Sequence, residues 1–279
     1  MNDSLPVVLV HGFWHGSWCW SLVAEQLAGR GIRSVAVDLE GHGLRGPAPR
    51  AATARPFDAE AFANEPSPVG QVTASSAAAL LAEQVRAIGR PCLVVAHSNG
   101  GVVATALAEL APELVAGLVY VAAIVPANGE PGSYYATCPE NDNDRLFKLL
   151  AADPAVVGAA RIDVGDPARR DEIKAAFYAD VDDRTADAAI ALLNPDGPIG
   201  IPAEQLTVTP ERYGRVPHSY VICTQDNAIP PAVQHRLVKE IDAVSAAPTV
   251  VTELESSHSP FLSQPAALAE VIAAKVRAT

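Results

Sequence analysis

At 279 residues, with 49% hydrophobic and 19% charged side chains, the chain is long enough for one large α/β core plus an insertion and too apolar for intrinsic disorder. A net charge of −12 and a pI near 5.0, with no cluster of Lys and Arg, exclude nucleic acid as a partner, because neutralising phosphates requires concentrated positive charge. The longest early apolar run, Pro6 to Val10, is too short for a signal-peptide core or a membrane span, and no basic leader precedes it; a cytoplasmic protein with no membrane partner is the expectation.

Leu5 to Val10 is apolar and β-branched and reads as a buried strand running into the loop His11-Gly12-Phe13-Trp14-His15-Gly16. Ser17 to Ala28 has helical spacing at Leu22, Val23 and Leu27 and is stopped by Gly29 to Gly31. Ile32 to Leu39 is the next strand, which completes a βαβ unit and predicts parallel pairing. Gly46 to Val72, rich in Pro and Ala and without a period, reads as an irregular excursion. Thr73 to Ile88 is helical, with Leu80, Leu81, Val85 and Ile88 on one face.

Leu93 to Ala96 then reads as a buried strand, and a helical run from Val102 to Leu110 follows almost at once. Only His97, Ser98, Asn99, Gly100 and Gly101 are available to reverse the chain, so the turn is sharp and its small residues leave the Ser98 hydroxyl at the tip. Leu114 to Val125 is a further strand, ended by Pro126. From Pro126 to about Val216 the alternation breaks: helical segments around Asp144 to Leu150, Arg169 to Ala179 and Thr185 to Leu193 lie among polar loops, with no convincing strand. The pattern resumes with a strand at His218 to Cys223, a helix from about Ala232 to Ile241, a strand at Thr249 to Leu254 and a closing helix from about Pro265 to Arg277. This describes a single domain over 1–279, with a core at about 1–126 and 217–279 and a mainly helical cap insertion at about 127–216. The four cysteines are far apart and lack metal-ligand spacing, so free thiols and no metal are expected.

In open parallel sheets, ligands sit beyond the carboxyl ends of the strands, and four loops there carry reactive residues: His11 to Trp14, Ser98, Asp226 and His258. A serine hydroxyl needs a base to take its proton, and the base needs an acid to fix its tautomer. Ser98, Asp226 and His258 supply these in the chain order of an α/β-hydrolase triad. His97 is expected to point away from the turn, and His15, His42, His218 and His235 to be structural or on the surface. Asp182, Asp183 and Asp196 fall in the cap and are disfavoured as the acid. An oxyanion requires two fixed N–H donors, for which Asn99, just after the nucleophile, and Phe13, beside Gly12, are the candidates.

Taken together, LVHGFWHGSWCW, AVDLEGHG, AHSNGG, CTQDNAIPP and SSHSPFLSQP resemble the α/β-hydrolase superfamily, most closely its plant methylesterase and hydroxynitrile lyase branch with its bacterial relatives. The resemblance spans about Leu5 to Pro126 and Val216 to Arg277 and is loose in the cap. It implies a mostly parallel central sheet flanked by helices, a Ser98, Asp226, His258 triad and an oxyanion hole from Phe13 and Asn99. Two positions depart from the pattern: Ala96 replaces the first glycine of the turn, and Asn99 stands where an apolar residue is more usual. The lyases of that branch carry a Lys after the catalytic His and a Thr in the oxyanion loop; Ser259 and Gly12 stand there instead.

The resulting expectation is a cofactor-free hydrolase that cleaves a small apolar ester, thioester or lactone through an acyl-enzyme. Gly12, Trp14, Tyr134, Tyr135, Phe147, Leu150, Phe177 and Tyr178 are the candidate pocket wall. A lyase or cyclase using the triad without acylation, and a non-enzymatic ligand receptor, are the rival readings. A homodimer is compatible with this composition.

Overall fold

The computed structural model describes residues 4–143 and 145–278. Strands β1 (Val7–Val10), β2 (Ser34–Val37), β3 (Cys92–His97) and β4 (Val115–Val121) precede a two-stranded ribbon, β5 (Ala159–Arg161) and β6 (Asp196–Pro198); β7 (His218–Cys223) and β8 (Val250–Leu254) follow. Six of them form one parallel sheet in the order β2-β1-β3-β4-β7-β8. Parallel neighbours need crossovers, supplied by helices α1 (Ser21–Gly29), α2 (Ala74–Ile88), α3 (Gly100–Leu110), α4 (Arg170–Phe177), α5 (Asp183–Ala191) and α6 (Pro231–Val244), of which α4 and α5 lie in the insertion; α7 (Pro265–Ala278) follows the last strand.

Helices cover both faces of the sheet, which is why its inner strands read as unbroken apolar runs rather than alternating ones. The twofold period of the strands divides the core. Val8, Val10, Val94, Ala96, Leu118 and Tyr120 pack with Leu81, Val85, Val103 and Leu107 of α2 and α3, and with Leu237 of α6. Val7, Leu9, Leu93, Val95 and Val119 pack on the other face with Val23 and Leu27 of α1 and Ile272 of α7. β1 and β3 are adjacent, with Val10 opposite Ala96, yet the chain leaves β1 for one face and β3 for the other. That divergence opens a crevice at their carboxyl ends, where open α/β sheets bind ligands.

Several elements differ from the sequence reading. The second strand is limited to Ser34–Val37. The strand expected to reach Val125 stops at Val121, because Ala122 takes φ +42° and turns the chain out of the sheet while its apolar successors stay buried. The excursion holds two short helices, Arg50–Thr53 and Ala59–Asn64. In the cap, Asp144 lies outside the described residues, and a short helix spans Arg145–Lys148.

The cap also contains strands where none was expected: β5 and β6 pair antiparallel over three residues each. Gly197 and Pro198 are poor strand formers, so the ribbon owes little to propensity. Arg161, fully buried, grips Asp196 with two hydrogen bonds, Nε to Oδ1 at 2.7 Å and Nη2 to Oδ2 at 2.8 Å. Its Nη1 donates to the carbonyls of Phe62 and, at 2.8 Å, Glu65, tying the excursion to the ribbon. All four cysteines are buried and none forms a disulfide. Among the described residues no helix is long and apolar enough to cross a membrane.

Candidate active site

The turn after β3 forces Ser98 to φ +52°, an uncommon conformation for a residue with a side chain. Three hydrogen bonds hold it there: Ser98 N–H to Val121 O at 3.2 Å, and Gly101 and Ile124 N–H to Ser98 O at 3.0 Å each. The return of α3 needs bare backbone, since a Cβ on Gly100 would lie 2.3 Å from His11 O and one on Gly101 2.5 Å from Ile124 O. Ser98 is only half-buried and faces a cavity of about 200 Å³.

Asp226 follows β7 and His258 follows β8; both are buried, 4% and 2% exposed. Asp226 Oδ1 accepts from the N–H groups of Ala228 at 2.7 Å and Ile229 at 2.9 Å, and Oδ2 accepts from Gln234 Nε2 at 3.3 Å. The same Oδ2 lies 2.8 Å from His258 Nδ1. A carboxylate with so many donors stays an acceptor, which places the His258 proton on Nδ1 and leaves Nε2 bare. His258 lines the cavity with Ser98.

Neutral histidines support this arrangement. His97 Nε2 lies 2.8 Å from His258 O, and since a carbonyl only accepts, that nitrogen carries the proton. Burial pushes the His97 imidazolium well below its ordinary range, helped by the neighbouring His258. His11 Nδ1 donates to Gly12 O at 2.8 Å while its Nε2 accepts from Leu39 N–H at 3.1 Å, a pattern that only neutral imidazole can make. His15 Nδ1 donates to Phe13 O at 2.7 Å, and Tyr178 Oη lies 2.8 Å from its Nε2. Burial lowers the pKa values to about 4 for His11 and about 3 for His15 and His42. In a trans peptide the N–H points opposite to the C=O, so the grip of His11 on Gly12 O directs Phe13 N–H away from His11. The loop is also pressed onto Ser98: a Cβ on Gly12 would lie 2.5 Å from Ser98 Cβ.

The structure brings Phe13, Trp14, Ser98, Asn99, Phe147, Phe177 and His258 to one cavity, with Tyr135 and Leu150. Trp14 is fixed by Nε1–H to Ala160 O at 2.8 Å, and Asn194 N–H holds its carbonyl at 2.7 Å. Gly12 packs against Ser98 and is not part of the wall. Tyr134 is also outside it: its ring packs 5.0 Å from the Arg236 guanidinium. Tyr178 is fully buried against His15. Asp182 caps α5 through Thr185 N–H, Asp183 pairs with Lys174 at the surface, and Asp196 belongs to Arg161. Ile124, Leu146, Ile199, Pro202, Ala228 and Ile229 complete the apolar wall. Of these, Ala228 and Ile229 had a signal in the sequence, since they lie two and three residues after Asp226. Among the described residues no Asp, Glu, Lys or Arg lines the cavity.

A six-stranded parallel sheet with a serine on a strained strand-to-helix turn, and an Asp–His pair on the loops of the last two strands, defines the α/β-hydrolase class. The sequence pattern of the alpha/beta hydrolase family matches residues 7–271, and the chain belongs to that family. Methylesterase 7 of Arabidopsis thaliana is 25% identical over 288 residues, covering 97% of this chain and 96% of that protein. A pyrethroid hydrolase of Sphingobium wenxiniae is 28% identical over 269 residues, covering 96% and 86%. The crystal structure of a pyrethroid hydrolase from Sphingobium faniae superimposes with a TM-score of 0.74 at 24% identity, covering 98% of each chain, a likeness of fold.

Proposed function

We propose that this esterase-type α/β hydrolase cleaves small, uncharged carboxylic esters through an acyl-enzyme on Ser98. Ser98 Oγ attacks the ester carbonyl as His258 Nε2 takes its proton. The buried carboxylate of Asp226 stabilises the imidazolium that forms, and the backbone N–H groups of Phe13 and Asn99 receive the oxyanion. The tetrahedral intermediate collapses, and His258 returns the proton to the departing alkoxide. Water then repeats the sequence on the acyl-enzyme, releasing acid and free Ser98. Nucleophile, base and oxyanion donors all come from the chain itself.

The observation that carries this reading is the buried 2.8 Å contact between His258 Nδ1 and Asp226 Oδ2, beside a cavity that Ser98 also faces. A methylesterase and a pyrethroid hydrolase among the relatives support the ester-cleaving class. The wall supports neutral substrates: a carboxylate or ammonium buried there would lack a partner, at a cost of several kcal/mol. The same argument disfavours cyanohydrin cleavage, which would leave cyanide in a cavity with Ser259 after the base and no Lys or Arg among the described lining residues.

Fluorophosphonate labelling with mass mapping, run alongside p-nitrophenyl ester and mandelonitrile turnover, tests the proposal. The expected result is a single adduct on Ser98, ester hydrolysis and no cyanide release above the uncatalysed rate. Cyanide release that disappears in Ser98→Ala, or turnover of a native substrate with Ser98 never acylated, would replace it with a lyase.

A further inference from the structure

The residue after the nucleophile is an asparagine, and its side chain is unaccounted for by the fold. An Asn at a helix start ordinarily accepts from the N–H groups of the first turn. Asn99 stands at the head of α3 with φ −61° and ψ −17°, helical rather than extended, and its side chain makes no capping hydrogen bond. It lines the cavity beside Ser98 instead, with Oδ1 buried and without a hydrogen-bond partner among the described residues.

Other polar groups of the wall are already committed. Trp14 Nε1 donates to Ala160 O, and Tyr135 Oη donates its one hydrogen to Glu240, with Asn128 Oδ1 3.2 Å away. Asn141 Nδ2 donates to the carbonyls of Tyr135 at 3.0 Å and Ala136 at 3.3 Å, and its Oδ1 accepts from Asn143 N–H. Ser133 is exposed, at the rim. Ser98 and His258 belong to the chemistry. The Asn99 carboxamide oxygen is therefore a polar group beside Ser98 for which the described residues provide no partner, and leaving such a group unpaired is costly.

We infer that Asn99 is a specificity-determining residue that hydrogen-bonds a hydroxyl group carried by the substrate next to the scissile carbonyl, so that the preferred substrates are hydroxy esters. This rests on the ester-hydrolase reading above. Proximity follows from chain position: the Asn99 side chain leaves the backbone at the residue whose N–H is assigned to the oxyanion. A hydroxyl follows from the chemistry of the carboxamide. It donates to Oδ1 or, after a half-turn of the amide, accepts from Nδ2, whereas a ketone only accepts and an amine or acid would bring an unpaired charge.

The test compares kcat/KM for methyl mandelate and methyl phenylacetate in the wild type, Asn99→Leu and Asn99→Met. Using the ratio of the two esters in each protein cancels their intrinsic reactivities. The hydroxy-ester preference is expected to fall about tenfold in both variants, the upper end for one neutral hydrogen bond. A measurement on the wild type alone guards against variants that do not fold: mandelamide is expected to inhibit about tenfold more tightly than phenylacetamide. Ratios within twofold across the three proteins, or equal inhibition by the two amides, overturn the inference and leave ester hydrolysis standing. Failure of the wild type to hydrolyse either ester, with Ser98 unlabelled by fluorophosphonate, overturns both.

Discussion

Lowering the pH from 7 to 5 acts on this protein mainly through histidines that fold neutral. His11, His15, His42, His97 and His218 are all buried, and desolvation is the largest cause of a lowered pKa in each: about 4 for His11 and His218, about 3 for His15 and His42, and well below the ordinary range for His97. In the unfolded chain these side chains titrate near 6.5. Below that value the unfolded state binds more protons than the native state, so stability is full above about pH 6.5 and is lost as pH falls toward 4. Between pH 7 and 5, one histidine so placed loses about 2 kcal/mol, and all five together lose on the order of 10 kcal/mol. That is comparable to the roughly 5–15 kcal/mol that holds a typical domain folded, so cooperative unfolding is expected near pH 5, above the range in which carboxylates titrate. Urea unfolding followed by tryptophan fluorescence at pH 7, 6 and 5 measures the loss, and His218→Leu, remote from the cavity, should reduce it by about 2 kcal/mol. A loss below about 3 kcal/mol between pH 7 and 5 would refute the argument, because it would mean that these histidines gain solvent or partners when protonated.

Ser98→Ala and His258→Ala should each lower kcat by at least ~10³ while circular dichroism and melting temperature stay near wild type, because nucleophile and base act as a unit. Retention of a tenth of ester turnover in either variant rejects the assignment. Asp226→Asn should lose on the order of 10²–10⁴ by favouring the wrong imidazole tautomer, and Asp182→Asn or Asp183→Asn should be near wild type; the reverse pattern would mean that the acid lies in the cap. Gly12→Ala puts a methyl 2.5 Å from Ser98 Cβ, so the oxyanion loop must move and kcat should fall about 10²-fold; unchanged kcat would show that the loop is not held against the nucleophile. Arg161→Met strands a buried Asp196 and should cost about 3–5 kcal/mol in denaturant unfolding, part of it recovered in Arg161→Met/Asp196→Leu; equal stability of the single variant and wild type would contradict that.

The sharp turn at Ser98 was legible because one hydroxyl stood among small residues between an apolar strand and a helix, and local sterics dictate that geometry. Asp226 and His258 were legible as polar residues just past apolar strands. The aromatic lining was harder, for a geometric reason. Tyr134 and Tyr135 share a 3₁₀ turn, where neighbours point about 120° apart, so only one can face the cavity; Phe177 and Tyr178 divide in the same way at the end of α4. Which member faces inward depends on how the segment docks, and nothing local encodes that. β5 and β6 were invisible because Arg161 and Asp196, 35 residues apart, hold together a ribbon that contains Gly197 and Pro198. The work of His11 and His15 depends on the direction of two backbone carbonyls, which side-chain patterning does not reveal.

The Arg161 guanidinium also bears on how this chain could be recombined with its relatives. It joins three stretches remote in sequence, at Phe62 and Glu65, at β5 and at β6, through a carboxylate and two main-chain oxygens. A chimera that exchanges only the segment between β4 and β7 would leave the old excursion's carbonyls facing whatever the donor supplies in place of the guanidinium. A workable crossover therefore moves the segment at about 46–72 together with the cap, so that the inheritable unit of specificity is two discontinuous pieces of chain rather than one insertion.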